Sequence, residues 1–516
     1  MHKLDSKQKI TLQGQLESLL QMYWGYSQFR SGQLAIIKTI IDYPASLALL
    51  ATGGGKSICY QIAGLYLGGT TIVISPLISL MQDQVRRLQQ QGIAAVYYNS
   101  TLSIESKTQI KESLLAGAYK FLYLGPEALL QRELRQFIRL LPVGLLAIDE
   151  AHCVSIWGHD FRPAFLEIKT TIAILQVRNP QLRVAGFTAT ATRKVEADIT
   201  EQLGLLDCKV SRTSFARTNL GIQVLPHYSD AQLLSLLQER QALSPVIIYT
   251  NSRKRAEALT MLERQSGLLA TYYHGGLARM EREQVLEAFL TDKYSVINAT
   301  NAFGMGVDKA NIYTVIHDQL PDSIENYYQE AGRAGRDGKE SLSFVNYSWK
   351  GINFRRQMLE NNYLSQTLAN RIYNYLRKAL LDQEGYHYVV LQEVLLDVEG
   401  INLPKFKHAL ELFAQVKIVS LKQSYLQRDS AVDSQLIIQF RLLKPNIIFL
   451  GKLLSLGQES RLYKDKLRKL AKTVELFSTE QCRLKNLLTY FSETSDPCGK
   501  CDNCLGTSSF PTEQML

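Results

Sequence analysis

Five short apolar runs in the first 190 residues constrain this chain more than any other feature: Ser46–Leu50, Thr70–Ile74, Phe121–Leu124, Leu145–Ile148 and Arg183–Phe187. Each closes on polar or turn-forming residues, and helical patterns separate them. Short runs of this kind between helices predict strands buried on both faces, and so a parallel sheet. In such a sheet the polar residues that matter collect at the carboxyl edge, where ligands bind. The same form recurs at Val246–Arg253, Tyr272–Leu277 and Ser295–Thr300, which predicts a second parallel sheet. The expected class is therefore α/β.

The residues at the strand ends name the chemistry. After the first strand come Thr52, Gly53, Gly54, Gly55, Lys56 and Ser57. Successive glycines expose backbone N–H groups to phosphate, Lys56 can reach the β and γ oxygens, and Ser57 can ligate Mg²⁺. Leu50 stands where a strict phosphate loop has glycine. Upstream, Gln33 follows Phe29-Arg30-Ser31-Gly32, and its planar amide can pair with a nucleobase edge. Asp149 and Glu150 end the fourth strand: one carboxylate can hold Mg²⁺ and the other orient an attacking water. Capping of the next helix is the alternative for this acidic pair. Trp157, His159, Phe161 and Arg162 then crowd stacking and cationic groups into one loop, suited to unpaired bases, although packing under the loop is also open. Thr188 and Thr190 are either relay hydroxyls or helix caps. In the segment Gln329–Gly338, Arg333 and Arg336 would share a face if helical and can meet a γ-phosphate held by the other sheet, with Arg336 the first choice; a flexible basic loop is the alternative for such Arg-Gly repeats.

Composition sets outer bounds. The 516 residues carry 58 Lys+Arg against 48 Asp+Glu, a net +10 that suits a polyanionic partner. No apolar run reaches the ~18 residues of a membrane span, and the polar first 20 residues do not read as a secretory signal. Seven cysteines are an odd number, and four of them, Cys482, Cys498, Cys501 and Cys504, lie close together. That spacing predicts a tetrahedral thiolate site for zinc in a reducing, cytoplasmic setting, with iron–sulfur ligation open. Before it, helices are expected over Gln366–Ala379, Tyr388–Val398 and Pro404–Phe413, then strands over Val416–Leu421 and Gln435–Leu442. This order suggests a winged helix, with Lys405, Lys407 and His408 along its second helix, either facing nucleic acid or forming a solvated face, and Tyr425 as a candidate strand-separating residue. Arg461, Lys464, Lys466, Arg468, Lys469 and Lys472 recur through an amphipathic helix that either lies along phosphates or is a plain charged surface.

In this order these blocks resemble the RecQ family of superfamily 2 helicases, with Ser75-Pro76-Leu77-Ile78-Ser79-Leu80-Met81-Gln82-Asp83-Gln84 adding a further match. Ser31, where proline is usual, and Gly125 are small departures. The resemblance implies two RecA-like lobes, 1–210 and 211–345; the residue patterns beyond them place a connector with a winged-helix-like segment, 346–445, and a helical cysteine module, 446–516. It implies that ATP is bound by Gln33 and Thr52–Ser57, that Ser57 and Asp149 hold Mg²⁺, and that Lys56, Asp149, Glu150, Arg333 and Arg336 carry hydrolysis. Trp157, Phe161 and Arg162 would contact single-stranded DNA, and the four cysteines would hold Zn²⁺. The implied activity is ATP-dependent 3′-to-5′ unwinding of duplex DNA in recombination and repair. The winged-helix-like segment precedes the cysteines rather than following them, and no terminal helical nucleic-acid domain is expected. An RNA-remodelling ATPase and a catalytically idle DNA-binding protein are the rival readings.

Overall fold

The computed structural model describes residues 11–99, 101–155, 162–241, 245–304, 309–361, 363–382, 385–421, 437–447, 450–454 and 456–508. Backbone contacts divide the chain into two units, Met1–Ser348 with Glu475–Leu516, and Trp349–Val474.

The first unit holds two parallel sheets. Lobe 1 contains β1 (Ala45–Leu49), β2 (Thr70–Ile74), β3 (Ala95–Tyr98), β4 (Phe121–Leu124), β5 (Val143–Ile148), β6 (Arg183–Thr188) and β7 (Lys209–Arg212), in the spatial order β3-β4-β2-β5-β6-β1-β7. The inner strands are apolar throughout because helices cover both sheet faces; Leu145, Leu146, Ala147 and Ile148 are fully buried. Each such Leu or Ile contributes roughly 1.5–3 kcal/mol by leaving water. The expected ranges of β2 and β4 coincide with those observed. Two strands were not foreseen, β3 and β7, and both lie on sheet edges. β7 reads Lys-Val-Ser-Arg and stays half exposed, so no apolar run announces it.

Lobe 2 contains β8 (Leu220–Pro226), β9 (Val246–Tyr249), β10 (Ala270–Tyr273), β11 (Val296–Ala299), β12 (Thr314–His317) and β13 (Ser341–Tyr347), ordered β10-β11-β9-β12-β13-β8. The sequence announced β9, β10 and β11. It hid β8, β12 and β13, where Gln223, His317, Ser343 and Asn346 interrupt the apolar pattern although three of the four are buried.

The second unit has its own core, built from Leu368, Ile372, Phe406, Phe413, Ile438 and Phe440 among others. Helices Gln366–Arg377, Leu391–Asp397 and Leu403–Gln415 accompany a four-stranded antiparallel sheet of β14 (Leu380–Leu381), β15 (His387–Val390), β16 (Val419–Leu421) and β17 (Ile437–Leu442). One helix was expected over Tyr388–Val398. Instead Val389 and Val390 pair with Ile438 and Ile437 as a strand, and the helix starts only at Leu391. β-branched residues favour that pleated, half-buried surface. Tyr425 lies outside the described residues. Among those residues, no helix is long and apolar enough to cross a membrane.

Candidate functional site

The ends of β1, β6 and β5 are neighbours in lobe 1, so the glycine loop, Thr188 and the acidic pair meet at one edge. Gly53 and Gly55 hold φ of +79° and +80°, the left-handed region that glycine alone enters freely. A side chain at Gly55 would also run into Gln33 Nε2 at 2.3 Å. Lys56 opens helix Lys56–Leu67 and places Nζ 2.6 Å from Glu150 Oε1. Glu150 itself has φ +49°, a conformation that costs a non-glycine residue on the order of 1–2 kcal/mol. Its N–H donates to Asp149 Oδ1 at 3.0 Å.

Behind the pair, fully buried His152 brings Nδ1 to 3.3 Å from Glu150 Oε2 and 3.1 Å from Thr188 Oγ1. Thr188 Oγ1 accepts the N–H of Thr190, and Gln329 Nε2 of lobe 2 donates to Thr190 Oγ1 at 3.3 Å. A polar chain therefore runs from Glu150 across to the other lobe. The capping alternative fails for both threonines: Thr192 caps the next helix, its hydroxyl accepting the Val195 N–H.

Electrostatics sort the two carboxylates. Burial pushes Asp149 up to about 6, with Glu150 adding to the rise and Lys56 opposing it. Burial acts against the Glu150 charge as well, but Lys56 and His152 outweigh it and hold that carboxyl well below the usual range. Lys56 stays above the ordinary lysine value because Glu150 and Asp149 overcome its own desolvation. Lys56 and Glu150 thus form the ion pair, and Asp149 is the carboxylate a divalent cation would relieve.

Lobe 2 completes the cavity, whose volume is about 470 Å³ and whose lining includes Thr52, Lys56, Ser57, Asp149, Glu150, Arg333 and Arg336. The two arginines follow helix Ile324–Ala331. Arg336 bears electrostatically on Lys56, and its Cγ lies 3.6 Å from where a side chain on Gly53 would begin. Arg333 sits deeper, near Gly304 and Tyr249. The lobes touch so closely that a methyl group on Gly332 would come within 2.8 Å of Thr52 Cβ.

Several residues escaped the sequence reading. Arg217 donates to the carbonyls of Thr52 in lobe 1 and of Gly332, Ala334 and Gly335 in lobe 2, at 2.7–3.1 Å. A lone arginine between lobes carries no motif. Trp24, Tyr26 and Arg30 line the cavity, and Arg30 Nη1 donates to the Gly53 carbonyl at 2.8 Å. An aromatic pair shortly before Gln33 was the available signal. Gln33 is almost wholly buried and its amide is engaged with the protein: Oε1 accepts the Arg30 N–H, and Nε2 donates to the Gly54 carbonyl at 3.1 Å. It braces the glycine loop in this state.

Trp157 and Phe161 lie outside the described residues. The segment's flanks are tied down: Ser155 Oγ donates to Asp198 Oδ2 at 2.5 Å, and Arg162 Nη1 donates to the Pro76 carbonyl at 2.8 Å.

The four clustered cysteines bring their sulfurs within 4.8 Å of one another. A tetrahedral zinc site with Zn–S near 2.3 Å needs sulfurs about 3.8 Å apart, so the donor set and its spacing fit that ion. The Cys498 Sγ accepts N–H groups from Lys500 and Cys501 at 3.4 and 3.3 Å, and Cys482 Sγ accepts that of Cys498 at 3.2 Å. Burial opposes ionisation of Cys482, yet the backbone N–H groups of Lys485 and Cys498 bring its thiol down to about 7. Cys482 caps helix Arg483–Tyr490 rather than sitting within it.

Three family models match: DEAD/DEAH box helicase over residues 30–198, helicase conserved C-terminal domain over 229–338, and RecQ zinc-binding over 446–505. The probable ATP-dependent DNA helicase RecS of Bacillus subtilis is 33% identical over 488 residues, covering 93% of this chain and 89% of that protein. The chain belongs to the RecQ family of superfamily 2 helicases. Another RecQ-family relative, the ATP-dependent DNA helicase RecQ of the same organism, is 43% identical over 347 residues, 67% of this chain and 58% of its own length. The chain spans between 54% and 58% of the length of the RecQ helicases it matches at 40–43% identity. The helicase MrfA bound to DNA, 16% identical with a TM-score of 0.56, covers 84% of this chain and 62% of its own, and shares the two-lobed fold.

Proposed function

We propose that this chain is an ATP-hydrolysing motor that moves 3′-to-5′ along single-stranded DNA and unwinds duplex DNA, in the cytoplasm, in support of recombination and repair. The observation that carries the reading is a cavity in which Lys56 and Glu150 of one lobe, paired at 2.6 Å, face Arg333 and Arg336 of the other. The family relatives' names as ATP-dependent DNA helicases support the choice of nucleic acid.

In this reading the triphosphate competes with Glu150 for the Lys56 ammonium. Its arrival frees the Glu150 carboxylate, which His152 keeps aimed into the site, to orient water and accept a proton. The glycine loop supplies backbone N–H donors, and Gln33 turns from the loop to the adenine edge. Ser57 and Asp149 would hold Mg²⁺, which neutralises phosphate charge when bound. Arg336, with Arg333 behind it, balances charge developing on the transferred phosphoryl group from the opposite lobe, so hydrolysis is tied to lobe closure. The chain from Glu150 through His152, Thr188 and Thr190 to Gln329 carries the nucleotide state between lobes. Trp157, Phe161 and Arg162 would grip the strand. Cys482, Cys498, Cys501 and Cys504 would hold a structural Zn²⁺, and the unit 349–474 would act as a winged-helix-like duplex contact.

ATP-dependent strand displacement on duplexes with a 3′ or a 5′ single-stranded tail, in DNA and in RNA, tests the proposal. Displacement only from the 3′-tailed DNA is the expected result. Displacement restricted to RNA would replace DNA by RNA as the track, and ATP hydrolysis without displacement on any substrate would reduce the motor to a translocase.

A further inference from the structure

The linker Thr213–Asn219 joins β7 of lobe 1 to β8 of lobe 2 and lies between the nucleotide cavity and the cysteine module. On the cavity side, Arg217 ties the carbonyl of Thr52 to those of Gly332, Ala334 and Gly335, so one guanidinium spans both lobes. On the other side the cysteine module grips the same linker repeatedly. The Glu493 carboxylate accepts the Phe215 N–H at 2.8 Å and the Ser214 hydroxyl. The Phe491 ring packs at a tilt against Phe215 at 5.0 Å and Tyr328 at 5.3 Å, and the Tyr328 hydroxyl donates to the Phe215 carbonyl. Lys500, between two of the cysteines, donates to the Thr218 carbonyl at 2.8 Å. Asp502 accepts the Val224 N–H of β8 at 3.1 Å.

Local backbone geometry serves this grip. Ser492 adopts φ +61°, a left-handed conformation that turns the chain sharply after helix Arg483–Tyr490 and delivers Glu493 to the linker.

We propose that the cysteine module sets the geometry of the nucleotide cavity through this linker, with Glu493 as the positioning residue that holds Arg217 between Thr52 and Gly332. Glu493 is not among the residues that line the cavity; it fixes two consecutive linker residues, Ser214 and Phe215, and so the place from which the Arg217 fork reaches four carbonyls. A guanidinium needs that fixed base, because its donors are planar and rigid. The proposal rests on the motor reading above for its consequence in catalysis, and on the hydrogen bonds alone for its consequence in structure.

The test uses Glu493→Gln and Glu493→Ala in the full chain, with zinc content, amide hydrogen exchange and steady-state ATP hydrolysis as readouts. Both variants are expected to keep their zinc while exchange at 213–219 and at 52–55 rises about tenfold. The kcat for ATP is expected to fall about tenfold in the alanine variant with KM within about twofold, and less in the glutamine variant, which keeps an acceptor for Phe215. Combining Glu493→Gln with Arg217→Lys is expected to do no more harm than Arg217→Lys alone, because the two act as one unit. Unchanged exchange at 52–55, multiplicative effects in the double variant, or loss of zinc in the glutamine variant would overturn the proposal, the last by making Glu493 a folding residue. If the unaltered chain releases no phosphate, the exchange result still decides the linker, and the failure belongs to the motor reading.

Discussion

Lobe 1 and lobe 2 are built alike, each a parallel sheet with its polar residues at the carboxyl edge, yet they bring opposite things to the cavity between them. Lobe 1 supplies a cluster already balanced within itself, Lys56 on Glu150 with His152 behind and Asp149 pushed up to about 6 by burial. Lobe 2 supplies guanidinium groups, Arg333 and Arg336, from a turn after a helix. One of its buried carboxylates, Glu263, serves a different purpose: its Oε2 accepts from Asn298 Nδ2 of β11, which also donates to Thr260 Oγ1. The comparison teaches that topology places polar residues, and that the side chains at two loop ends decide what the place can do.

The largest expected effect comes from the lobe 1 cluster. Lys56→Ala is expected to abolish ATP hydrolysis and strand displacement, read by phosphate release; turnover near the unaltered rate would remove the balanced pair from the chemistry. Arg336→Ala tests the lobe 2 contribution and is expected to lower kcat by about 10³-fold, the scale of an arginine finger, with nucleotide binding by fluorescence largely kept. If Arg333→Ala costs more than Arg336→Ala, the deeper arginine is the reacting one and the assignment between them reverses.

Smaller effects separate folding from chemistry. Cys501→Ser removes a fully buried donor of the cysteine cluster. It is expected to release the zinc and lower the melting temperature by roughly 10 °C. Retained zinc by elemental analysis would break the four-thiolate assignment. The smallest effect concerns Glu263, whose carboxyl burial pushes from 4.5 up to about 8. Because the folded chain keeps a proton there that the unfolded chain releases, stability is expected to fall as pH rises from about 4.5 to about 8, and to level off above. Among the described residues, Glu263 Oε1 and Asn298 Oδ1 are both buried without a hydrogen-bond partner. Urea midpoints across this range should slope downward in the unaltered chain and flatten in Glu263→Gln; parallel slopes would place the pH dependence elsewhere.

How far the site could be read from the chain depended on where its residues sit. The glycine loop, the acidic pair and the Arg333–Arg336 segment are contiguous runs next to apolar strands, so pattern and chemistry coincided in one stretch. Thr188 and Thr190 were legible as candidates but not as a choice, because a hydroxyl before a helix fits a cap as well as a relay; only the position of Thr192 decided. Strands β8, β12 and β13 stayed hidden because their polar residues pack against partners distant in sequence, which no local pattern records. The Tyr388–Val398 helix was misread for the related reason that β17 captures Val389 and Val390.

Hydrophobic periodicity and loop composition by themselves determined that this chain makes parallel sheets, sets a glycine loop with Lys56 at one strand end and gathers four thiols near residue 500, because those properties are written in neighbouring residues. The tertiary structure alone decided which charges pair, that Gln33 braces the glycine loop, that Arg217 spans the lobes, and that Glu493 reaches the linker from nearly 280 residues away. Those are contacts between side chains and backbone groups that meet only after the sheets have formed. Their energies depend on burial and on distances of a few ångströms, which a linear pattern does not contain.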